Sequence, residues 1–480
     1  MNHFYKLFIT LLVGLFFSAL LVKFGIAGLF LVFAVAIFLY VLPRSELFAF
    51  LIVVYSIFLG FFTNQMPILN GMPFLGFYDE LLIIAFCLSF VIKQLVNKGD
   101  FLKETNSIFV YVFGFCLVSI LSALVNGVSL VASLNFMLSH IKWILFFITL
   151  LIVLNENTSK KYLYFLCVIG LVQLFLAIIQ MLTFGSLNLF VGNEINIIQD
   201  AATGTFGYYG AHYLGHFAMM LFIYSFYLAA FLNSRKWFII ACSSLVLHLL
   251  TFTELDYFFL GVIAISFLFM KKVKFIKKGV LALFISLSCM VMLSTGLVDL
   301  DRYVKYLTRP ELITSTGKVQ VILLVPKVLN EFILVSVGCG PASFSSGAAS
   351  KGRSALFIKY VKGQSLKKGT STLDFMWSGF TNLLFEVGVL GAFFYYSILF
   401  FILIRIGKAY VFCKKLLAYE KALLMSGVML IAFICYVSLL MSVFELAFLM
   451  LPFSILLAVS YQVASRNLYP NSLIRGKRVV

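Results

Sequence analysis

Apolar runs of about 17–22 residues follow one another from the N-terminus to residue 463, separated by short polar connections. Each is long enough to cross a hydrocarbon core of about 30 Å as a helix. They fall near 6–22, 25–42, 46–62, 77–95, 107–125, 134–154, 162–183, 210–232, 237–253, 255–270, 279–297, 383–405, 422–444 and 447–463. The alternation of a membrane β-barrel strand, apolar and polar in turn over about ten positions, is absent. The pattern predicts an all-α integral membrane protein of about fourteen transmembrane helices. Met1 to Lys23 reads as the first span rather than a cleaved leader, because no small-residue cleavage site follows its apolar run. One stretch, residues 298–376, breaks the pattern by being long and polar.

Composition agrees with the pattern. The chain is 63% hydrophobic and 11% charged, with a mean hydropathy of +1.09, a balance outside the soluble range. The eight cysteines are scattered, mostly inside predicted spans, where they act as small apolar residues. No disulfide and no metal site is expected from their spacing.

A net charge of +18 raises the question of nucleic acid, but topology accounts for most of it. Of the 36 Lys and Arg, 23 fall in connections on one side of the predicted membrane, from Lys6 to Arg478. Lys23 and Lys142 are the only ones on the other side before residue 298, where the short connections carry Asp79, Glu80, Glu194, Asp200, Glu254, Asp256 and Glu445. The positive-inside rule then places both termini in the cytoplasm and residues 298–376 outside. Four regions result: membrane domain 1–297 (spans 1–11), a long basic extracytoplasmic loop 298–376 containing short helices, spans 12–14 within 377–463, and a basic cytoplasmic tail 464–480.

The loop carries eleven Lys or Arg against five carboxylates, a net of 11 − 5 = +6. Long loops cross the membrane regardless of charge, so this surplus is not an orientation signal. It is either a solvated surface resting on lipid headgroups or a site for anionic, lipid-linked phosphates, which Arg and Lys bind by charge-assisted hydrogen bonds. Within it, Gly317 to Phe344 reads as an amphipathic surface helix closed by a glycine turn at Gly338-Cys339-Gly340-Pro341. Lys318 lies near the start of that helix, where free backbone N–H groups also favour an anion.

These pieces, taken in order, resemble the C-terminal pattern of the O-antigen polymerases and O-antigen ligases. That pattern opens a helix with Gly-Arg, continues to a Gly-x-Gly-Pro-x-x-Phe turn, and enters the next span through Leu-x-x-Glu-x-Gly-x-x-Gly. Here it reads Gly317-Lys318, then Gly338-Cys339-Gly340-Pro341-Ala342-Ser343-Phe344, then Leu383-Leu384-Phe385-Glu386-Val387-Gly388-Val389-Leu390-Gly391. Upstream, Gly204-Thr205-Phe206-Gly207 and Leu214-Gly215-His216-Phe217 look like the family's span-entry segment. The resemblance covers residues 200–400. Three departures stand out. The helix-opening Arg is Lys318, which keeps charge but loses the two-pronged fork. The ligases' His-Asn pair is Trp377-Ser378, and no His lies in the loop. The Ser-Arg found after the preceding span is replaced around Thr253-Glu254-Leu255-Asp256.

The resemblance implies a GT-C-like membrane fold and a polymerase that joins oligosaccharide repeats carried on undecaprenyl pyrophosphate at the outer face of a bacterial inner membrane. It needs no cofactor and no nucleic acid; its partners are the lipid-linked glycans, membrane lipids and a chain-length regulator protein. Two rivals follow: a ligase transferring glycan to lipid A-core, and, from another class, a lipid-linked oligosaccharide flippase. A flippase built from repeats would show two matching halves, whereas this chain has a single large loop after its eleventh span. Lys318, Arg302, Arg309 and Arg353 are the candidate pyrophosphate contacts, Lys318 also stabilising the leaving charge. Asp374 is the candidate base for the acceptor hydroxyl. Trp377, Glu386, Glu254 and Asp256 are the candidate glycan-binding residues. Each has a plainer reading: surface charge for the cations, an interface anchor for Trp377, a partner for a loop cation for Glu386, and a polar turn for Glu254 and Asp256. His212 and His216, one turn apart, could bind a metal or simply pack and hydrogen bond.

Overall fold

The computed structural model describes residues 45–65, 80–88, 106–182, 202–206, 210–251, 253, 256–268, 335–344, 346, 349 and 378–468. Among the described residues every regular element is helical. In chain order these are α1 (Ser45–Gln65), α2 (80–88), α3 (Asn106–Val125), α4 (Leu130–Val153), α5 (Glu156–Leu182) and α6 (Gly210–Leu232). There follow α7 (Arg235–Leu250), α8 (Tyr257–Leu268), α9 (Gly379–Phe412), α10 (Ala418–Leu440), a single 3₁₀ turn at Val443–Glu445 and α11 (Ala447–Leu468). Each described helix overlaps one predicted apolar run. The runs at 6–22, 25–42 and 279–297 lie outside the described residues.

Among the described residues seven helices, α3–α6 and α9–α11, are long and apolar enough to cross a membrane, and the chain is a multi-pass membrane protein. Burial sorts them. In α6 and α11, 89% of the apolar stretch is buried, against 44% in α3 and 39% in α5. The first two are therefore interior helices, while α3 leaves Val110, Phe113, Leu117 and Leu124 exposed, as a lipid-facing surface requires. Without a hydrophobic drive between helices in lipid, close packing and interhelical hydrogen bonds hold the bundle. A Cβ on Gly427 of α10 would lie 2.6 Å from Ser460 of α11. The buried Tyr224 hydroxyl of α6 donates to the Leu456 carbonyl of α11 at 2.7 Å. Trp143 Nε1 of α4 donates to the Tyr395 hydroxyl of α9 at 2.7 Å.

Two elements depart from straight spans. α7 has 16 residues, about 24 Å of helix and short of a full crossing. Helix α9 folds back on itself. The Phe380 and Tyr396 rings lie 5.6 Å apart, although sixteen residues of straight helix would separate their backbones by about 24 Å. The reversal is at Gly388, at φ 67° and ψ −172°, a region open essentially to glycine alone. Residues 379–387 thus form a short inner arm and 389–412 the spanning arm. Both meet α10 at one place: Ser378 Oγ donates to the Ser438 carbonyl at 3.2 Å, and Tyr396 bonds the Ser438 hydroxyl at 3.0 Å.

Three of the acidic residues predicted on one side, Glu80, Asp256 and Glu445, are among the described residues, and each faces a buried basic side chain. Lys142 Nζ donates to Glu80 Oε1 at 2.8 Å, both side chains nearly enclosed. Glu445 lies 3.9 Å from His140 Nε2. Removing one member of a buried pair leaves an uncompensated charge. Lys142→Met is therefore expected to destabilise the protein by about 3 kcal/mol, and adding Glu80→Gln should return most of it. Thermal unfolding of the purified protein in detergent checks this; a single variant as stable as wild type would remove the pair from the account.

Candidate functional site

The turn that begins at Gly338 and the Glu386 segment are joined in space by one carboxylate, which bonds residues 40–44 positions before it. Glu386 lies at the end of the inner arm of α9, just before the reversal, and is fully buried. Its Oε2 accepts the backbone N–H of Ala342 at 2.6 Å and the Ser346 hydroxyl at 2.9 Å. Its Oε1 accepts the N–H groups of Phe344 at 3.1 Å and Ser346 at 2.9 Å. A run of N–H groups in alternating backbone conformation forms a concavity suited to an anion. Here the positive φ values of Gly340 (106°) and Ala342 (59°) curl the chain around the carboxylate.

The backbones are stitched together as well. The Cys339 N–H donates to the Phe385 carbonyl at 2.7 Å, Gly340 to Glu386 at 3.1 Å, and Leu390 to Ser336 at 3.0 Å. The Phe344 and Phe385 rings stack with centroids 4.0 Å apart. The end of α3 closes the back of the site. Asn126 Nδ2 donates to the Gly338 carbonyl at 3.1 Å, and the Ser122 hydroxyl to the Glu386 carbonyl at 3.1 Å. Cys339 sits inside this knot, where burial pushes its thiol up to about 12. At neutral pH it is a thiol and no nucleophile.

The second group of polar residues lies between α6, α7 and α8. The fully buried Asp256 directly precedes α8, and its Oδ2 is 2.7 Å from His216 Nδ1. His248 Nδ1, at the end of α7, is 3.9 Å from the same oxygen and 3.1 Å from the Gly215 carbonyl. Thr251 and Thr253, hydrogen bonded to each other at 2.9 Å, fill the space a side chain at Gly215 would need. The sequence suggested an outer-surface turn here. Instead Asp256 meets α6 at His216, 216 − 210 = 6 residues from its start, about 9 Å along its axis. The hydrogen-bonding reading of His216 describes what it does. Among the described residues no group of three His, Cys, Asp or Glu could hold a metal ion.

Beside this cluster, the 202–206 segment is held by two glutamines of α5. Gln180 Oε1 accepts from Thr203 N and Gly204 N at 3.1 and 2.8 Å. Gln173 Oε1 accepts from Thr205 N at 3.0 Å, and its Nε2 donates to the Thr205 hydroxyl at 2.7 Å. Both glutamines were invisible as site residues in the sequence, where each is one polar residue in an apolar run. Their seven-residue spacing, two turns on one helix face, was the available signal.

Of the predicted site residues, Glu386 and Asp256 are described, and each is a buried acceptor of hydrogen bonds from elsewhere in the chain. Lys318, Arg302, Arg309, Arg353, Asp374, Trp377 and Glu254 lie outside the described residues. Ser378, which follows Trp377, caps α9 by accepting the Thr381 N–H. A scan against protein-family models and a search of curated proteins each return no match to the chain.

Proposed function

We propose that the chain is a membrane glycosyltransferase that polymerises oligosaccharide repeats carried on undecaprenyl pyrophosphate. In this reading it has about fourteen spans in a GT-C-like arrangement, sits in the bacterial inner membrane, and keeps both termini in the cytoplasm. The observation that carries the reading is the Glu386 junction. The Gly-x-Gly-Pro-x-x-Phe and Leu-x-x-Glu-x-Gly segments, which resemble the polymerase and ligase family, meet through a carboxylate that holds the first against the second. Two short motifs matched by chance would have no reason to fit one another.

The turn so fixed ends the segment that begins at Lys318. Lys318, Arg302, Arg309 and Arg353 then hold the donor pyrophosphate and stabilise its charge as it leaves, an electrostatic role that works best in a preorganised site. The polymerase is favoured over the ligase because Trp377-Ser378 stands where ligases carry His-Asn. Lipid-linked glycans and a chain-length regulator are the partners.

Glycan analysis of a strain lacking the gene, complemented with wild type or Lys318→Ala, tests this. The expected result is a polymer ladder with wild type and single repeats with Lys318→Ala. Full-length polymer left on the undecaprenyl carrier would mean a ligase. Single repeats trapped on the cytoplasmic leaflet would mean a flippase.

A further inference from the structure

We infer that His216, held by Asp256, takes the proton of the acceptor sugar's hydroxyl during chain extension, the role the sequence suggested for Asp374, an inference that rests on the polymerase reading. Three features of the cluster lead there. First, the His216 tautomer is fixed. A carboxylate oxygen only accepts, so the 2.7 Å contact with Asp256 Oδ2 assigns the hydrogen to Nδ1. The Nε2 lone pair is then left to receive a proton, the orienting role a carboxylate plays for any imidazole base.

Second, the side chain that orients the imidazole is not fully satisfied. Asp256 is fully enclosed, and its Oδ1 has no hydrogen-bond partner among the described residues. A proton received at Nε2 stands on a ring whose other nitrogen is held 2.7 Å from that carboxylate, the orienting and stabilising contact an Asp gives a catalytic imidazole. Third, the flanking groups hold the pair and do not compete with it. His248 gives its Nδ1 hydrogen to the Gly215 carbonyl, fixing the backbone directly before His216. From α10 the ring of Phe433 lies 6.0 Å from the imidazole, and it has no proton to exchange.

His140, also buried, is arranged differently. Its Nδ1 is 2.9 Å from the Phe136 carbonyl one turn back on its own helix, so no carboxylate orients it through that nitrogen, and Glu445 lies 3.9 Å from its Nε2, beyond hydrogen-bond reach. In the proposed step the acceptor oxygen forms a bond to the anomeric carbon, and the bond from that carbon to the phosphate oxygen breaks. The electron pair leaves with the pyrophosphate, and the hydroxyl proton goes to His216 Nε2. No oxidant or further reactant is needed.

The test uses full-length protein reconstituted in liposomes with undecaprenyl-pyrophosphate-linked repeat units. His216→Gln and Asp256→Asn should each lower kcat by about 100-fold or more, the range of a lost general base. KM for donor and acceptor should stay within about threefold, because the lost interaction belongs to the transition state. His216→Ala should be partly rescued by added imidazole, and more by more basic azoles, a response that packing alone would not give. A folded His216→Gln protein polymerising at the wild-type rate would overturn this inference while leaving the polymerase reading standing. So would a loss of activity that follows a lowered melting temperature, with no azole rescue. Absence of polymer from the wild-type protein would overturn the polymerase reading and this inference with it.

Discussion

Glu386→Ala is expected to be among the most damaging single substitutions in the described part of the chain. It leaves three buried N–H groups and one hydroxyl without their acceptor. A buried donor left unsatisfied costs about 1–3 kcal/mol, so even at the low end the four together cost about 4 kcal/mol. That is a large part of the stability of a typical domain. Glu386→Gln keeps one accepting oxygen but turns an amide toward N–H donors, so its stability should fall between Ala and wild type. Ser346→Ala removes one donor and leaves the carboxylate bonded to the backbone, a change of about 1 kcal/mol. Thermal unfolding of the four proteins in one detergent gives the order. An alanine variant melting with wild type would show that the carboxylate does not hold the turn.

Gly388→Val should be of similar size for a different reason. The chain reverses there at φ 67° and ψ −172°, where a β-branched residue is strained by about 1–3 kcal/mol before any contact is counted. The contacts add to this, because a Cβ would lie 2.3 Å from the Ser336 carbonyl oxygen and 2.5 Å from the Gly338 nitrogen. Both are backbone atoms, and the Ser336 carbonyl is held by the Leu390 N–H, so neither rotates away as a side chain would. Overpacking of this kind costs about 1–3 kcal/mol more. Limited proteolysis reads the result directly: the variant should be cut near residues 335–349 under conditions that leave wild type whole. A resistant, fully folded valine variant would contradict the reversal.

The apolar runs made the helices legible because a bilayer-spanning segment announces itself by length and composition alone. The same logic could not show the reversal in α9. Residues 379–387 mix apolar positions with Thr381, Asn382 and Glu386 and run into the span with no sign of a turn except Gly388, one glycine among 32. The motif resemblance drew attention to Glu386 but offered a loop cation or a cavity wall as its partner. Its actual partners are backbone N–H groups, which every residue has and no sequence pattern displays. Asp256 was legible as a carboxylate between two apolar runs. That it turns inward to His216 depends on α7 being short, and helix ends are the least readable feature of a sequence.

The Glu386 junction also sets an order of events during synthesis. Its bonds reach back 40–44 residues to Ala342, Phe344 and Ser346, and 264 residues to Ser122. At about 5–20 residues per second, the end of α3 waits roughly 13–50 s on the ribosome's schedule before its partner is made. Until then the 338–346 turn has nothing to curl around, and the Ser122 hydroxyl lacks the acceptor it will use. A nascent chain halted anywhere before residue 386 therefore carries an unsatisfied hydroxyl near the end of α3, a mark by which a membrane chaperone or protease could tell an unfinished molecule from a finished one.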